Sequence, residues 1–398
     1  ALTHLLHRFV LYSVSPLLYN VGIIVGIIFF YPAYGIAGLG WGVVLGAFLH
    51  VLIQLPFFFA EKSEQHLPPR RVWQSLLRVL ALSVPRTVAL AAGQISLLIL
   101  IAMASYFAPG SISVFMFAWN LQAVPLTIIG VSYSVAAFTT LARFHASGNM
   151  QEFVAHIETA LRHMLFWSIP AIVLMIVLRA QIVRIVLGAG AFDWNATRLT
   201  AAALAFFMIS LAAQSATLLI TRAYYAAGRT TTPLLLGTLS VLISVGSASL
   251  LVMFFHSSPL IRYFLESLSR VADLPGTTVI MLALGFSIGA VTQAGLGLYL
   301  FVRDFGVSLR GLGRLAFQSF SASVIGGACA YFALTLMGFL VDIDTVPGIV
   351  AQGTVGGIVG VVGTILVLYL LDNQELREAI STIRRRFKDS LEPTDVSS

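Results

Sequence analysis

Charge is what this sequence has least of. Asp, Glu, Lys and Arg make up 10% of its 398 residues, where a soluble domain carries about 25%. A chain this long could not cover a water-facing surface with so few. Carboxylates are missing from the middle of every apolar run. All 16 acidic residues fall in loops, tails or at the edges of apolar stretches. That removes the membrane-embedded carboxylate on which many proton- or cation-coupled carriers depend. Cysteine is limited to Cys329, so no internal disulfide can form, and its apolar setting reads as small-residue packing. No glycine-rich phosphate loop ending in Lys-Ser or Lys-Thr is present, which argues against direct use of ATP. His156 and His163 share a helix face, but no partner at ligand spacing accompanies them, so neither a metal nor another cofactor is expected. No paired acid–base set is visible, and the sequence does not read as an enzyme.

What the chain has in abundance is apolar length. Hydrophobic residues make up 58% and the mean hydropathy is +0.94. Runs of about 18 or more apolar residues, the signature of membrane-crossing helices, recur throughout. The expected fold class is an all-α polytopic membrane protein with about ten transmembrane helices. They are placed at 9–31, 36–60, 82–107, 113–141, 159–183, 199–221, 233–255, 277–302, 315–340 and 349–371. Pro32 to Gly35 and Pro109-Gly110 mark tight turns between neighbouring spans.

The net charge of +7 would suggest nucleic acid in a soluble protein. Here the cations lie in short segments between apolar runs, where they set topology, and no nucleic-acid partner is expected. One set of alternate loops and tails holds 16 Lys and Arg, the other 5. With an even number of crossings this bias puts both ends of the chain on the cytoplasmic side. The tail cluster Arg384-Arg385-Arg386 with Lys388 either anchors that topology or attracts anionic membrane lipids. The stretch 256–276, on the outer side, has room for a short surface helix.

Polar groups inside the spans are mostly amides: Asn20, Gln54, Gln94, Asn120, Gln122, Gln214, Gln293 and Gln318. Within hydrocarbon an amide needs a partner. These groups are therefore interhelical links or the wall of a polar cavity. Gln94, Asn120 and Gln122 lie on adjoining spans, which strengthens the cavity reading for them. Arg86 follows Pro85 at the start of the third span. It either snorkels to the interface or presents its planar donor fork to an anionic headgroup. Arg162 reads more simply as a snorkelling residue. Glycines recur four apart as Gly38, Gly42 and Gly46, as Gly285 and Gly289, and as Gly356 and Gly360. Such rows let helix backbones approach closely. In the last two spans they could also form a groove for a lipid tail. Pro16, Pro56, Pro85, Pro125 and Pro170 interrupt spans and can kink them, as in carriers that work by alternating access.

Several segments together resemble the MviN/MurJ-type lipid II flippase family, within the multidrug/oligosaccharidyl-lipid/polysaccharide exporter superfamily. The strongest is RIVLGAGAFDWNATRLTAAALAFF at 184–207, followed by TRAYYAAGRTTTP at 221–233. PLLYNVGII at 16–24, GQISLLI at 93–99 and GSISVFMFAWNLQAVPLTIIGV at 110–131 are similar to further family segments. The resemblance extends over nearly the whole chain and corresponds to family helices five to fourteen, without the first four, and the start of the chain reads as interior to a longer protein. Two positions depart from the family pattern. Asn120 stands where the first hairpin of the second lobe usually has arginine; an amide can bond a phosphate but cannot neutralise it. Gly228 and Arg229 follow Ala226-Ala227 where the family usually has an aspartate.

The resemblance implies a partial two-lobe flippase bundle. Residues 1–60 would be the last two helices of the first lobe, 61–81 a cytoplasmic loop, and 82–302 the six-helix second lobe. Residues 303–371 would be two added helices forming a lipid-tail groove, and 372–398 a basic cytoplasmic tail. The implied function is translocation of lipid II, an undecaprenyl-pyrophosphate-linked muropeptide, across the bacterial cytoplasmic (inner) membrane. Its substrate-binding residues would be Arg86, Gln94, Asn120 and Gln122, with Asn20 and Arg222 secondary. Two alternatives stay open: an exporter of another polyprenyl-linked saccharide or amphiphile, and a transport-inactive scaffold whose partners are cell-wall synthesis or division proteins.

Overall fold

The computed structural model describes residues 9–53, 55, 73, 87–88, 91, 93–188, 192–342 and 345–391. All regular secondary structure among them is helical. The chain divides into two compact units, Ala1–Val79 and Leu80–Ser398.

In the first unit, α1 (Phe9–Val25) continues through a π-helical turn, Gly26–Phe30, into α2 (Tyr31–Tyr34). The widened turn lies just before Pro32, whose ring cannot accept the regular α-helical contact with the carbonyl four residues back. At Gly35 the backbone reverses through a left-handed φ of 58°, which favours glycine. There α3 (Ile36–Leu52) begins. Its buried residues are Gly38, Gly42 and Gly46, the glycine row expected for close packing. A Cβ on Gly42 would lie 2.6 Å from the Gly26 Cα, so the two backbones touch where side chains would normally separate them. Trp41, Val44 and Phe48 on the same helix are exposed, as lipid-facing residues are.

The second unit begins with α4 (Gly93–Ala104). The chain turns at Gly110 into α5 (Ser111–Pro125), passes through a second π-helical turn at Leu126–Val131, and continues as α6 (Ser132–Ala146). Here too the π turn adjoins a proline, Pro125. Then follow α7 (Met150–Val177), α8 (Arg179–Leu187), α9 (Trp194–Met208), α10 (Leu211–Ala226) and α11 (Thr231–Ser257). The remaining helices are α12 (Pro259–Ser269), α13 (Val279–Phe305), α14 (Leu312–Leu340), α15 (Val346–Leu370) and α16 (Gln374–Leu391). Side-chain caps start several of them. Asn149 Oδ1 accepts from Glu152 N at 3.2 Å and Asp193 Oδ1 from Ala196 N at 2.7 Å, satisfying otherwise orphaned amide donors.

Among the described residues, seven helices are long and apolar enough to cross a membrane, or eight when the bent pair α9–α10 counts as one span. This corrects the expectation of about ten. The reason is length within the described residues. The apolar stretches expected at 36–60 and 82–107 appear as the shorter helices Ile36–Leu52 and Gly93–Ala104. The stretch 199–221, expected as one straight span, is bent by 47° between Met208 and Leu211.

An aromatic cluster ties together part of the core of this unit. Trp119, Phe207 and Phe286 meet edge to face, with centroids 4.9 to 5.7 Å apart, and Phe115 packs on Phe207 at 5.3 Å. These rings bind α5, α9 and α13 together. Glycines close the other seams. A Cβ on Gly285 would lie 2.5 Å from the Ala248 Cα on α11. On α15, a Cβ on Gly360 would lie 2.9 Å from the Ala330 Cβ on α14. The glycine rows therefore serve close helix packing. The short helix expected within 256–276 is α12, whose outward face carries Leu260, Tyr263, Phe264 and Leu268.

Candidate functional site

Packing of α4, α5, α10, α11 and α13 leaves a cavity of about 290 Å³. Its polar lining is uncharged, comprising Gln94, Gln214 and Gln293 with Ser96, Thr217 and Ser240; Trp119 and Phe286 form an apolar side. Gln214 is fixed from behind. Its Nε2 donates to Gln122 Oε1 at 3.0 Å and to Ser210 Oγ at 2.9 Å. Ser210 lies in the break, immediately before α10, and is fully buried, so the break between α9 and α10 supplies one of the two acceptors. With its nitrogen held in the wall, Gln214 still has its carbonyl to offer. The Ser96 and Thr217 hydroxyls also line the cavity and have no hydrogen-bond partner among the described residues. Buried polar atoms of this kind are ordinarily satisfied, so the cavity retains hydrogen-bonding capacity.

Two of the expected site residues come together here. Gln94 lines the cavity directly. Gln122 stands behind it, 1% exposed, and acts on the cavity through Gln214. Asn120 is exposed on α5 and is not part of this lining. Asn20 belongs to the first unit and is exposed on α1. Arg222 is half-buried on α10, eight residues past Gln214, or about 12 Å along the helix. Arg86 and Gln54 lie outside the described residues. The cavity also uses residues not chosen from sequence. In the sequence Gln214 and Gln293 stand out only as amides within spans, and Trp119, Ser210, Thr217 and Ser240 carry no distinguishing pattern. The two glutamines carried a signal in their type and depth; the hydroxyls carried none.

Several carboxylates in this unit sit where cations meet them. Arg162 Nη2 lies 2.8 Å from Glu375 Oε1 and joins α7 to α16. Asp304 receives Arg229 Nη1 at 3.3 Å and the Tyr224 hydroxyl at 3.1 Å. Glu266 accepts from Arg262 Nε at 2.9 Å and Thr277 Oγ1 at 2.6 Å. Arg198 grips Asp273 with both nitrogens, at 2.7 and 2.6 Å. That bond, more than any other influence, holds the Asp273 carboxyl below its usual value. No group of three or more His, Cys, Asp or Glu among the described residues is arranged to hold a metal ion.

An all-α bundle with several membrane-length helices, apolar outer faces and an uncharged amide cavity inside is a multi-pass membrane protein built like a transporter. The family model "Lipid II flippase MurJ" matches residues 1–343, and the chain belongs to that family. It is therefore a multi-pass protein of the bacterial inner membrane. Among its relatives, a "Probable lipid II flippase MurJ" of Buchnera aphidicola subsp. Acyrthosiphon pisum is 28% identical over 246 residues, 61% of this chain and 48% of that protein. Its counterpart in Thermotoga maritima is 29% identical over 231 residues, 57% of this chain and 45% of that one. A "Lipid II flippase MurJ" of Burkholderia cenocepacia is 28% identical over 212 residues, 51% and 40% of the two chains. The chain spans about half the length of the curated relatives it matches. A solved structure titled "Lipid II flippase MurJ, inward closed conformation" shares the fold, with a TM-score of 0.63 and 20% identity over 91% of this chain and 68% of that one.

Proposed function

We propose that the chain moves lipid II, the undecaprenyl-pyrophosphate-linked peptidoglycan precursor, from the cytoplasmic to the outer leaflet of the inner membrane. The observation that carries this reading is the family match over residues 1–343. The amide cavity supports it. Glutamine side chains both donate and accept, which suits the hydroxyls and amides of a muropeptide headgroup. A cavity of about 290 Å³ is at the small end of ligand sites, so the headgroup would pass only when rocking of the helices widens it.

In this reading Gln94, Gln122 and Gln214 line or shape the passage, and Arg86 meets the pyrophosphate. Asn20, Asn120 and Arg222 contact the headgroup at other stages of the cycle. Residues 1–60 close the first lobe, 82–302 make the second, and 303–371 hold the polyprenyl tail. The bias of 16 cations against 5 between alternate loops places both ends of the chain and the basic tail in the cytoplasm, where the tail meets anionic lipids.

Translocation of labelled lipid II in proteoliposomes tests the proposal: the protein should speed transfer, and Arg86→Ala should abolish it at unchanged expression. Full activity of Arg86→Ala would remove that residue from the pathway. One observation favours a second reading, an exporter of a different polyprenyl-linked saccharide. By the family resemblance, Asn120 stands where an arginine is usual, and the cavity itself is lined by uncharged residues. Faster transfer of a neutral lipid-linked saccharide than of lipid II would decide for it.

A further inference from the structure

A second cavity, of about 630 Å³, lies at another level of the same unit, between α7–α8, α9, the end of α12, α14 and α15. Tyr331 lines it from α14. That residue is 13 positions past Gln318, which faces the tail helix side, so the two levels are about 20 Å apart along α14. Three arginines line the cavity: Arg179, Arg198 and Arg270. Only Arg198 has a carboxylate, Asp273. Arg179 is half-buried and donates Nη1 to the Ile176 carbonyl at 3.2 Å. Arg270 donates Nη2 to the Tyr331 hydroxyl at 3.1 Å and lies over that ring at 5.8 Å. Neither forms an ion pair among the described residues, and each acts on the other only as a like charge. Arg270 is also held with a φ of 61°, a left-handed conformation uncommon for a side-chain-bearing residue. Its carbonyl receives Arg198 Nη2 at 2.5 Å, so the same arginine that binds Asp273 pins this turn.

Two guanidiniums held at one cavity without a counter-ion repel each other unless an anion sits between them. The arginine fork suits phosphate oxygens above all. Beside the cavity, α12 presents Leu260, Tyr263, Phe264 and Leu268 on its exposed face. That spacing puts them on one stripe of the helix, the pattern of a helix lying in a membrane interface. Leu268 is itself part of the cavity lining, so cationic and apolar surfaces are continuous.

We propose that this cavity binds the phosphate headgroup of an anionic phospholipid, held between Arg179 and Arg270, with its acyl chains along α12. The site shares no lining residue with the amide cavity, and lipid binding there does not depend on what the protein transports. The Gln181 Nε2 to Gln352 Oε1 bond, 3.2 Å long, forms part of its wall and joins α8 to α15, so a bound lipid would sit against the joint between them.

The test is titration of the detergent-solubilised full chain with phosphatidylglycerol, with retained lipid read by native mass spectrometry and thermal stabilisation read in parallel. Arg270→Gln and Arg179→Gln should each weaken phosphatidylglycerol binding by about tenfold or more, since a charged hydrogen-bonding partner is lost. Arg270→Glu should weaken it further. If Arg179→Gln fails to fold, the exposed Arg270 variants carry the test alone. Wild-type affinity in both Arg270 variants would overturn the proposal. Equal stabilisation by inorganic phosphate at the same concentration would overturn the lipid assignment, leaving a site for a free anion.

Discussion

Two polar cavities of the second unit solve opposite problems. One is walled by Gln94, Gln214 and Gln293 and carries no formal charge; the other is lined by Arg179, Arg198 and Arg270. An amide inside the bundle can be satisfied by its neighbours, as Gln122, Ser210 and Gln214 satisfy one another. A charge at the same depth could not, because no carboxylate lies there to meet it, and an uncompensated charge in a membrane interior is costly. The arginines occur instead at helix ends, in α8, at the start of α9 and after α12. There a carboxylate, water or a lipid headgroup can answer them. The difference teaches that this bundle confines charge to its ends and gives its interior hydrogen bonds.

The sharpest way to break that contrast is to put a charge into the amide cavity. Gln214→Lys should destabilise the protein by about 3 kcal/mol, the cost of a cation placed at membrane depth, read as loss of the unfolding midpoint in detergent. A variant as stable as the parent would mean that the cavity is already charge-compensated. Gln214→Leu tests the amide link itself. It leaves Gln122 Oε1 buried without its donor, and about 1 to 3 kcal/mol should be lost. A cycle with Gln122→Leu should then recover part of that loss, with a coupling of about 0.6 to 2 kcal/mol. Additive effects would show that the two amides act independently.

The arginine cavity gives the smallest effect, in pH. Arg198 holds the Asp273 carboxyl below its usual value. The folded state therefore binds this proton less readily than the unfolded chain. Stabilisation from the pair should be complete above the ordinary aspartate pKa, about 3.9, and fade as pH falls through the depressed value. Asp273→Asn should remove that acid-side decline in thermal midpoint. An unchanged profile would mean that exposure already screens the pair.

Much of this organisation could be read from residue types. Apolar run length gave the helices, and the row Gly38, Gly42, Gly46 gave a packing seam whose partner strip, Gly22 and Gly26, also turned out to be glycine. The amides mark polar positions inside the spans, and Gln94 lines the cavity with Gln122 behind it. Asn120 shows where spacing should have intervened. Residues two apart on a helix point about 200° apart, so Asn120 and Gln122 could not both face one cavity. The arginine site was hidden for a different reason. Arg179, Arg198 and Arg270 come from distant parts of the chain and read there only as topology charges. Their convergence depends on the turn after α12 and on the packing of α14 and α15 against α7 and α8, which no local pattern encodes. The 47° bend between α9 and α10 was equally silent, since the sequence 199–221 contains neither proline nor glycine.

The most direct measurement of the central claim is lipid II translocation by a Gln94→Leu/Gln214→Leu/Gln293→Leu variant in proteoliposomes, compared with the parent chain at equal folded protein. If the uncharged cavity is the passage, transfer should fall to the protein-free rate while the variant still binds phosphatidylglycerol as tightly as the parent. Transfer at the parental rate through a cavity stripped of its amides would contradict the account.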